Sequence, residues 1–314
     1  MPVIARALLF ASLAPILVAQ SIYIRTSPDI IYGYALPYGT LPVAATSTWT
    51  NSSLVSGNFG VAEDSSGNAY AIGTTTSTGD TILKLAAGTG TGTGSPTSFA
   101  VLSSGTSFTG PMAIDSSGNV YAAVDVAGTG DFIYAYTSSG GGPTTIPGSG
   151  SLVPGALAVD GSGNLWEGEV GSPYHINKII PSSGAVTLFA SLGGSHSPKG
   201  ITFDNSGNLY ISAVSFSSTL IYKLAACGGA ISTFSTISTN VLGWVAFDPV
   251  ASNVYYSGQG ASSAVNHSYI YNLGGTQSTF ASTVSTGVFD QVAGPVPTGT
   301  PACHAVVGHG PFIF

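Results

Sequence analysis

Residues 200–224 read GITFDNSGNLYISAVSFSSTLIYKL, and this stretch decides the fold. ITFD is short, apolar and β-favouring, so it reads as a strand. NSGN interrupts it: Gly207 accepts a left-handed backbone and Asp204 can take hydrogen bonds from backbone amides across the turn. LYISA is a second strand, SFSST a loop, LIYKLAA a third strand and AISTFSTI an outer fourth. The opening phrase recurs as VAEDSSGNAY, MAIDSSGNVY, LAVDGSGNLW and VAFDPVASNVYY. Asp64, Asp115, Asp160, Asp204 and Asp248 therefore stand 51, 45, 44 and 44 residues apart. TILKLAAG, DFIYAYTS, HINKIIPS and YIYNLGG fill the third-strand slot of the other units. A four-stranded unit repeating with a period in the forties predicts an all-β chain folded as a β-propeller.

The two ends supply a further blade. In residues 22–48, IYGYALPYG and TLPVAATST read as third and fourth strands; in 290–314, DQVAGPVP and HAVVGHGPFIF read as first and second. Val292 falls 47 residues after Val245, where the next inner strand is due. Joining the ends in one blade would pair edges that otherwise stay open. The expectation is a single six-bladed domain over 20–314.

Residues 1–19 hold Arg6, the apolar run ALLFASLAPILVA and a small residue, Ala19, as a secretory signal peptide does. An uncleaved anchor is the alternative. The expected location is secreted, extracellular or periplasmic, with no membrane insertion after cleavage. Charged residues are 6% of the chain, against roughly a quarter in an ordinary domain. Beyond residue 19 only Arg25, Lys84, Lys178, Lys199 and Lys223 are basic, against 13 acids. So few cations cannot line a nucleic-acid site, which excludes that partner. Cys227 and Cys303 could pair in an oxidising compartment, but spacing does not show that they meet. Asn51-Ser-Ser and Asn266-His-Ser are glycosylation sequons only in a eukaryotic source. GTGTGTGSP lacks the lysine and helix of a phosphate loop and reads as a flexible hairpin.

PMAIDSSGNVYAA and GITFDNSGNLYIS resemble the NHL family of propellers. ALAVDGSGNLWEGEVGSPYHINKIIPSSGAVTLF is also similar to blades of streptogramin B lyases. The resemblance covers about Gly60 to Tyr256. It implies a propeller and leaves function open, because such propellers include binding modules, lyases and peptide-processing enzymes, and the related gluconolactonase-like ones are metal-dependent hydrolases. The third-strand arginine of many NHL repeats is absent; Lys84, Lys178 and Lys223 stand at comparable places.

Sister blades serve as controls for one another. Where they carry Ile114, Val159, Phe203 and Phe247, the first blade has Glu63; where they carry Ala71, Ala122, Ile211 and Tyr256, the third has Glu167. An acid in an apolar slot needs a partner, a cation or a proton. Glu167 is thus a candidate acid–base or metal-binding group, or else an acid satisfied by its surroundings. Glu63, beside the turn, is expected to face away from the ligand face. That face gathers the loops joining second to third strands and each blade to the next. It should hold Asp125, Asp131, Glu169, His175, His196, Lys199, Asp290 and His309. Glu167 and His175 are the catalytic candidates. Asp125, Glu169, His175, His196, Lys199 and Asp290 are the ligand-binding candidates. Glu167, Glu169 and Asp290 could hold a divalent cation, Ca²⁺ or Mg²⁺. The turn aspartates should lie at the opposite end in a structural role. The leading functional expectation is a secreted, monomeric binding or scaffold module for a small molecule, glycan, peptide or protein. The alternatives are a metal-dependent lyase or lactonase at the channel mouth, and a self-associating surface protein.

Overall fold

The computed structural model describes residues 21–27, 30–36, 41, 45–50, 54–55, 60–75, 79–87, 96–193, 195–215, 218–226, 228, 230–237, 242–249, 251–259, 266–272, 274–279 and 288–293. They form six antiparallel sheets, the blades of a propeller. In the first blade Leu54–Val55 and Val61–Glu63 both pair with Ala69–Thr75, followed by Gly79–Leu85 and Thr97–Val101. The second comprises Thr106–Ile114, Val120–Val126, Gly130–Tyr136 and Thr144–Thr145. The third comprises Pro154–Val159, Leu165–Glu169, His175–Ile180 and Ala185–Ser191. The fourth comprises Ser197–Phe203, Leu209–Val214, Thr219–Leu224 and Ser232–Ile237. The fifth comprises Leu242–Asp248, Asn253–Gln259, Asn266–Asn272 and Gln277–Thr279. Among the described residues the sole helical turn is Ser149–Ser151.

The sixth blade combines Val288–Ala293 with Ser21–Ser27, Ile30–Ala35 and Ser47–Thr50. Val288–Ala293 is its inner strand, and Val292 pairs with Ile24 as Val245 pairs with Tyr256 in the fifth blade. The expected division of this blade needs correction. Its second strand is Ser21–Ser27, not a C-terminal segment, so the N-terminal side supplies three strands and the C-terminal side one. No Asp-x-x-Gly-Asn turn can mark a first-to-second connection whose two strands lie at opposite ends of the chain. HAVVGHGPFIF lies outside the described residues. Each inner strand packs against those of its two neighbours, from the first blade round to the sixth and back to the first.

The cores lie between blades. Ile82, Phe108 and Val124 join the first to the second, Tyr121, Leu157 and Ile179 the second to the third, and Trp166, Phe203 and Ile211 the third to the fourth. Tyr210, Val245 and Tyr256 join the fourth to the fifth. A blade cut from its neighbours would expose both faces, so stability belongs to the ring rather than to the unit.

The repeated turn explains the repeated sequence. Asp64 Oδ1 accepts hydrogen bonds from the amides of Ser66 and Asn68, both 2.9 Å, while Oδ2 accepts from Asn68 Nδ2 at 2.8 Å and the Tyr70 hydroxyl at 3.1 Å. Asp115, Asp160 and Asp204 repeat the pattern, with Tyr121, Trp166 and Tyr210 as the aromatic donors. Gly67, Gly118, Gly163 and Gly207 hold φ of 80°, 81°, 79° and 77°, a region costly for other residues. The fifth turn is built differently. Ala251 N and the Tyr255 hydroxyl donate to Asp248, and Ser252 takes the left-handed conformation at φ 55°. In the sixth blade the Tyr23 hydroxyl donates instead to the Gly67 carbonyl of the first-blade turn, 2.7 Å away. Lys84, Lys178 and Lys223 lie over the rings of Tyr70, Trp166 and Tyr210 at 5.1, 5.5 and 5.1 Å. Lys84 and Lys178 also reach Asp64 and Asp160, at 3.7 and 4.0 Å. These lysines serve the turn end of the blades.

Candidate functional site at the mouth of the ring

The opposite end of the ring opens into a cavity of about 380 Å³. Among the described residues its wall draws on four blades: Thr109, Gly110, Pro111 and Asp131 from the second, Val153, Pro154, Gly155 and Val170 from the third, Lys199 from the fourth and Trp244 from the fifth. Inner strands make most of this wall, and three of them change register there. The shifts fall opposite Ala122–Val124 in the second blade, at Pro154/Ala156 in the third and at Pro198/Gly200 in the fourth. Such bulges re-aim side chains and end regular pairing. Lys199 is the extra residue of the fourth-blade bulge, which turns it into the cavity. Close packing behind it requires glycine: a Cβ on Gly200 would come within 2.8 Å of Val245 N and 2.9 Å of Trp244 Cα.

The electrostatics of this wall are unbalanced. Among the described residues, the Lys199 and Asp131 side chains have neither a hydrogen bond nor an ion pair. Burial pushes the Lys199 ammonium down from its ordinary pKa. Burial, and then the like charge of Asp125 across the strand pair, pushes the Asp131 carboxyl up. Neither group answers the other.

The remaining candidates are spread around the mouth. Asp125 is exposed beside Asp131. Glu169 Oε2 lies 3.4 Å from His175 Nδ1. The His196 ring meets Tyr222 edge-on, with centroids 5.9 Å apart. Asp290 belongs to Val288–Ala293, but its side chain lies outside the described residues, as do His309, Cys227, Cys303 and the His267 side chain. The structure thus brings Asp131 and Lys199 to one cavity and Glu169 to His175, and the cavity wall includes neither His175 nor His196.

Glu167 is fully buried in the second strand of the third blade and does not line the cavity. It alternates with Trp166, which faces the fourth blade, and shares the face of Leu165, which packs toward the second. Asn177 Nδ2 donates to Glu167 Oε2 at 2.9 Å, while Oε1 has no partner among the described residues. Burial, outweighing the Asn177 bond and reinforced by Glu169, pushes the Glu167 carboxyl up to about 8. Glu169 faces His175 rather than Glu167. Among the described residues no three His, Cys, Asp or Glu side chains form a set able to hold a metal ion. Glu63 is buried in its strand beside the Asp64 turn, away from the mouth.

The sequence reading did not find Trp244, Pro111, Val153, Pro154, Gly155 or Val170 in the wall, nor Asn177 as the partner of Glu167. One signal was present. In the slot two residues before Met112, Leu157, Ile201 and Val245, the second, third and fifth blades carry Gly110, Gly155 and Gly243; the fourth carries Lys199.

A chain of a nidogen/laminin complex is similar at 14% identity and a TM-score of 0.63, over 89% of this chain and 99% of that one. TolB from Acinetobacter baumannii is similar at 12% identity and a TM-score of 0.65, over 88% of this chain and 67% of its own. The chain is a six-bladed β-propeller. Virginiamycin B lyase from Staphylococcus aureus shares 15% identity with this propeller, at a TM-score of 0.51, over 85% of this chain and 86% of that one. No protein-family model and no curated protein matches the sequence. At these identities the likeness shows the fold alone.

Proposed function

We propose that this NHL-like propeller is a secreted binding module whose ligand seats in the mouth cavity. One observation carries the reading: a 380 Å³ cavity brings together an indole, two prolines and two charged groups without partners. Ligand sites commonly measure roughly 300–1,000 Å³ and combine apolar walls with a few polar groups. Small molecules, glycan ends and peptide ends suit that size. Export rests on the composition of residues 1–19; N-terminal sequencing of protein from an exporting host should begin at Gln20, and a retained Met1 would favour an anchor.

Trp49 and Trp166 are buried, whereas Trp244 is partly open in the wall, so fluorescence reports on the site. Titration with peptide and oligosaccharide panels should give a saturable change in the wild type. Val153→Phe, which adds bulk at an exposed wall position, should abolish it without lowering the melting temperature. A ligand bound equally well by Val153→Phe would place the binding surface elsewhere.

A second reading, acid–base catalysis as in a lyase or lactonase, is favoured by the Glu169–His175 contact and the raised Glu167. It requires turnover that is lost in His175→Ala. Turnover unchanged by both His175→Ala and Glu167→Gln would remove it.

A further inference from the structure

The two charged wall residues constrain what the cavity can hold. Lys199 stands on the fourth blade and Asp131 on the second, with the third blade between them, and no ion pair joins them. Each is held in a partly desolvated wall without a counter-charge, which is unfavourable until one arrives. The usual explanation for a lone lysine, service to a turn or a neighbouring ring, applies to Lys84, Lys178 and Lys223 and not to this one. Lys199 also replaces the glycine found in that slot in three sister blades, so the cation is a feature of the cavity rather than of the repeat.

Three ligand classes fit badly. A simple anion would satisfy Lys199 but leave Asp131 in the same wall without a counter-charge. A simple cation would have the reverse difficulty. A neutral ligand would displace water from both charges and return nothing to either. We infer that the cavity takes a dipolar ligand, one molecule carrying an ammonium and a carboxylate, with the carboxylate at Lys199 and the ammonium at Asp131. A free α-amino acid and a short peptide with free ends share this chemistry. Pro111, Pro154, Val153, Val170 and Trp244 offer apolar contact in the same wall. The depressed Lys199 and raised Asp131 agree with this arrangement, since an opposite charge brought by a ligand would favour the charged form of each. This inference deepens the binding-module reading and rests on it.

The test uses the mature protein at neutral pH, with Trp244 fluorescence and calorimetry as readouts. The probes are alanine, Ala-Ala and Ala-Ala-Ala, followed by N-acetyl-Ala-Ala and Ala-Ala-amide. At least one free-ended probe should saturate, and its length distinguishes an amino acid from a peptide. Each single cap should weaken binding about tenfold or more. Lys199→Met should erase the effect of the amide cap and keep that of the acetyl cap; Asp131→Asn should do the converse. Both variants should keep the wild-type melting transition, because neither side chain has a partner to lose. Caps without effect, or variants that leave both cap effects intact, overturn the inference. If maltotriose saturates the wild type but not Val153→Phe while every dipolar probe fails, the inference falls and the binding module stands. If no probe perturbs Trp244, both fall.

Discussion

The two ends of this ring use charge in opposite ways. At the turn end, Asp160 accepts hydrogen bonds from Ser162 N, Asn164 N, Asn164 Nδ2 and Trp166 Nε1, and Lys178 lies over the Trp166 ring. The other turn aspartates are similarly engaged within their own blades. At the mouth end, Asp131 and Lys199 have no partner among the described residues. A protein with so few charges gains little by leaving two of them desolvated and unpaired. The turn end therefore uses its charges for folding, and in the proposed reading the mouth end keeps two of its own for a ligand.

The largest effect that could break this comparison is on the ring itself. Deleting residues 288–314 removes the inner strand of the sixth blade and should abolish the cooperative unfolding transition in calorimetry. A truncated chain that melts as the intact one does would mean that the blades stand alone. Next comes Asp160→Ala, which leaves a buried indole N–H and two turn amides without their acceptor; it should cost about 3 kcal/mol in urea unfolding while leaving the mouth unchanged. A loss as small as that of a surface substitution would show the turn acids to be dispensable.

Glu167 sharpens the contrast through pH. Its carboxyl is raised from 4.5 to about 8, so between those values the folded chain holds a proton that the unfolded chain releases. Stability should fall as pH rises through this window, by up to about 1.4 kcal/mol per pH unit, and level off above it. Glu167→Gln keeps an acceptor for Asn177 and should flatten that slope in urea titrations at several pH values. An equal slope in the variant would assign it to another group. The smallest effects separate the lysines. Lys84→Met removes a cation–ring contact and a partly exposed ion pair, worth about 1 kcal/mol at most, whereas Lys199→Met should change unfolding by less than about 0.5 kcal/mol.

The architecture was legible because one physical unit is written five times. Asp, Gly and Asn at fixed offsets make a turn that works only with strands on both sides, and Val292 falls in its predicted place. The second strand of the sixth blade was not legible: Ser21–Ser27 follows an apolar run and has no turn phrase to announce it. Comparison among blades located Glu63 and Glu167 because an acid stands out in an apolar slot. Lys199 was legible as a ligand-face candidate, and the glycines that the second, third and fifth blades carry in its slot mark it further. Trp244 was hidden for another reason. It lies on the inner strand of the fifth blade and shares a wall with residues of three other blades, a juxtaposition that no local pattern records.

Competitive labelling of the lysines with limiting acetic anhydride, followed from pH 7 to 10 by peptide mass spectrometry, tests the contrast between the two ends most directly. Lys199, depressed by burial, should become reactive at a lower pH than Lys84, whose contacts with Tyr70 and Asp64 outweigh the effect of burial and raise it. Lys84 reacting first, or both titrating together, would contradict the account.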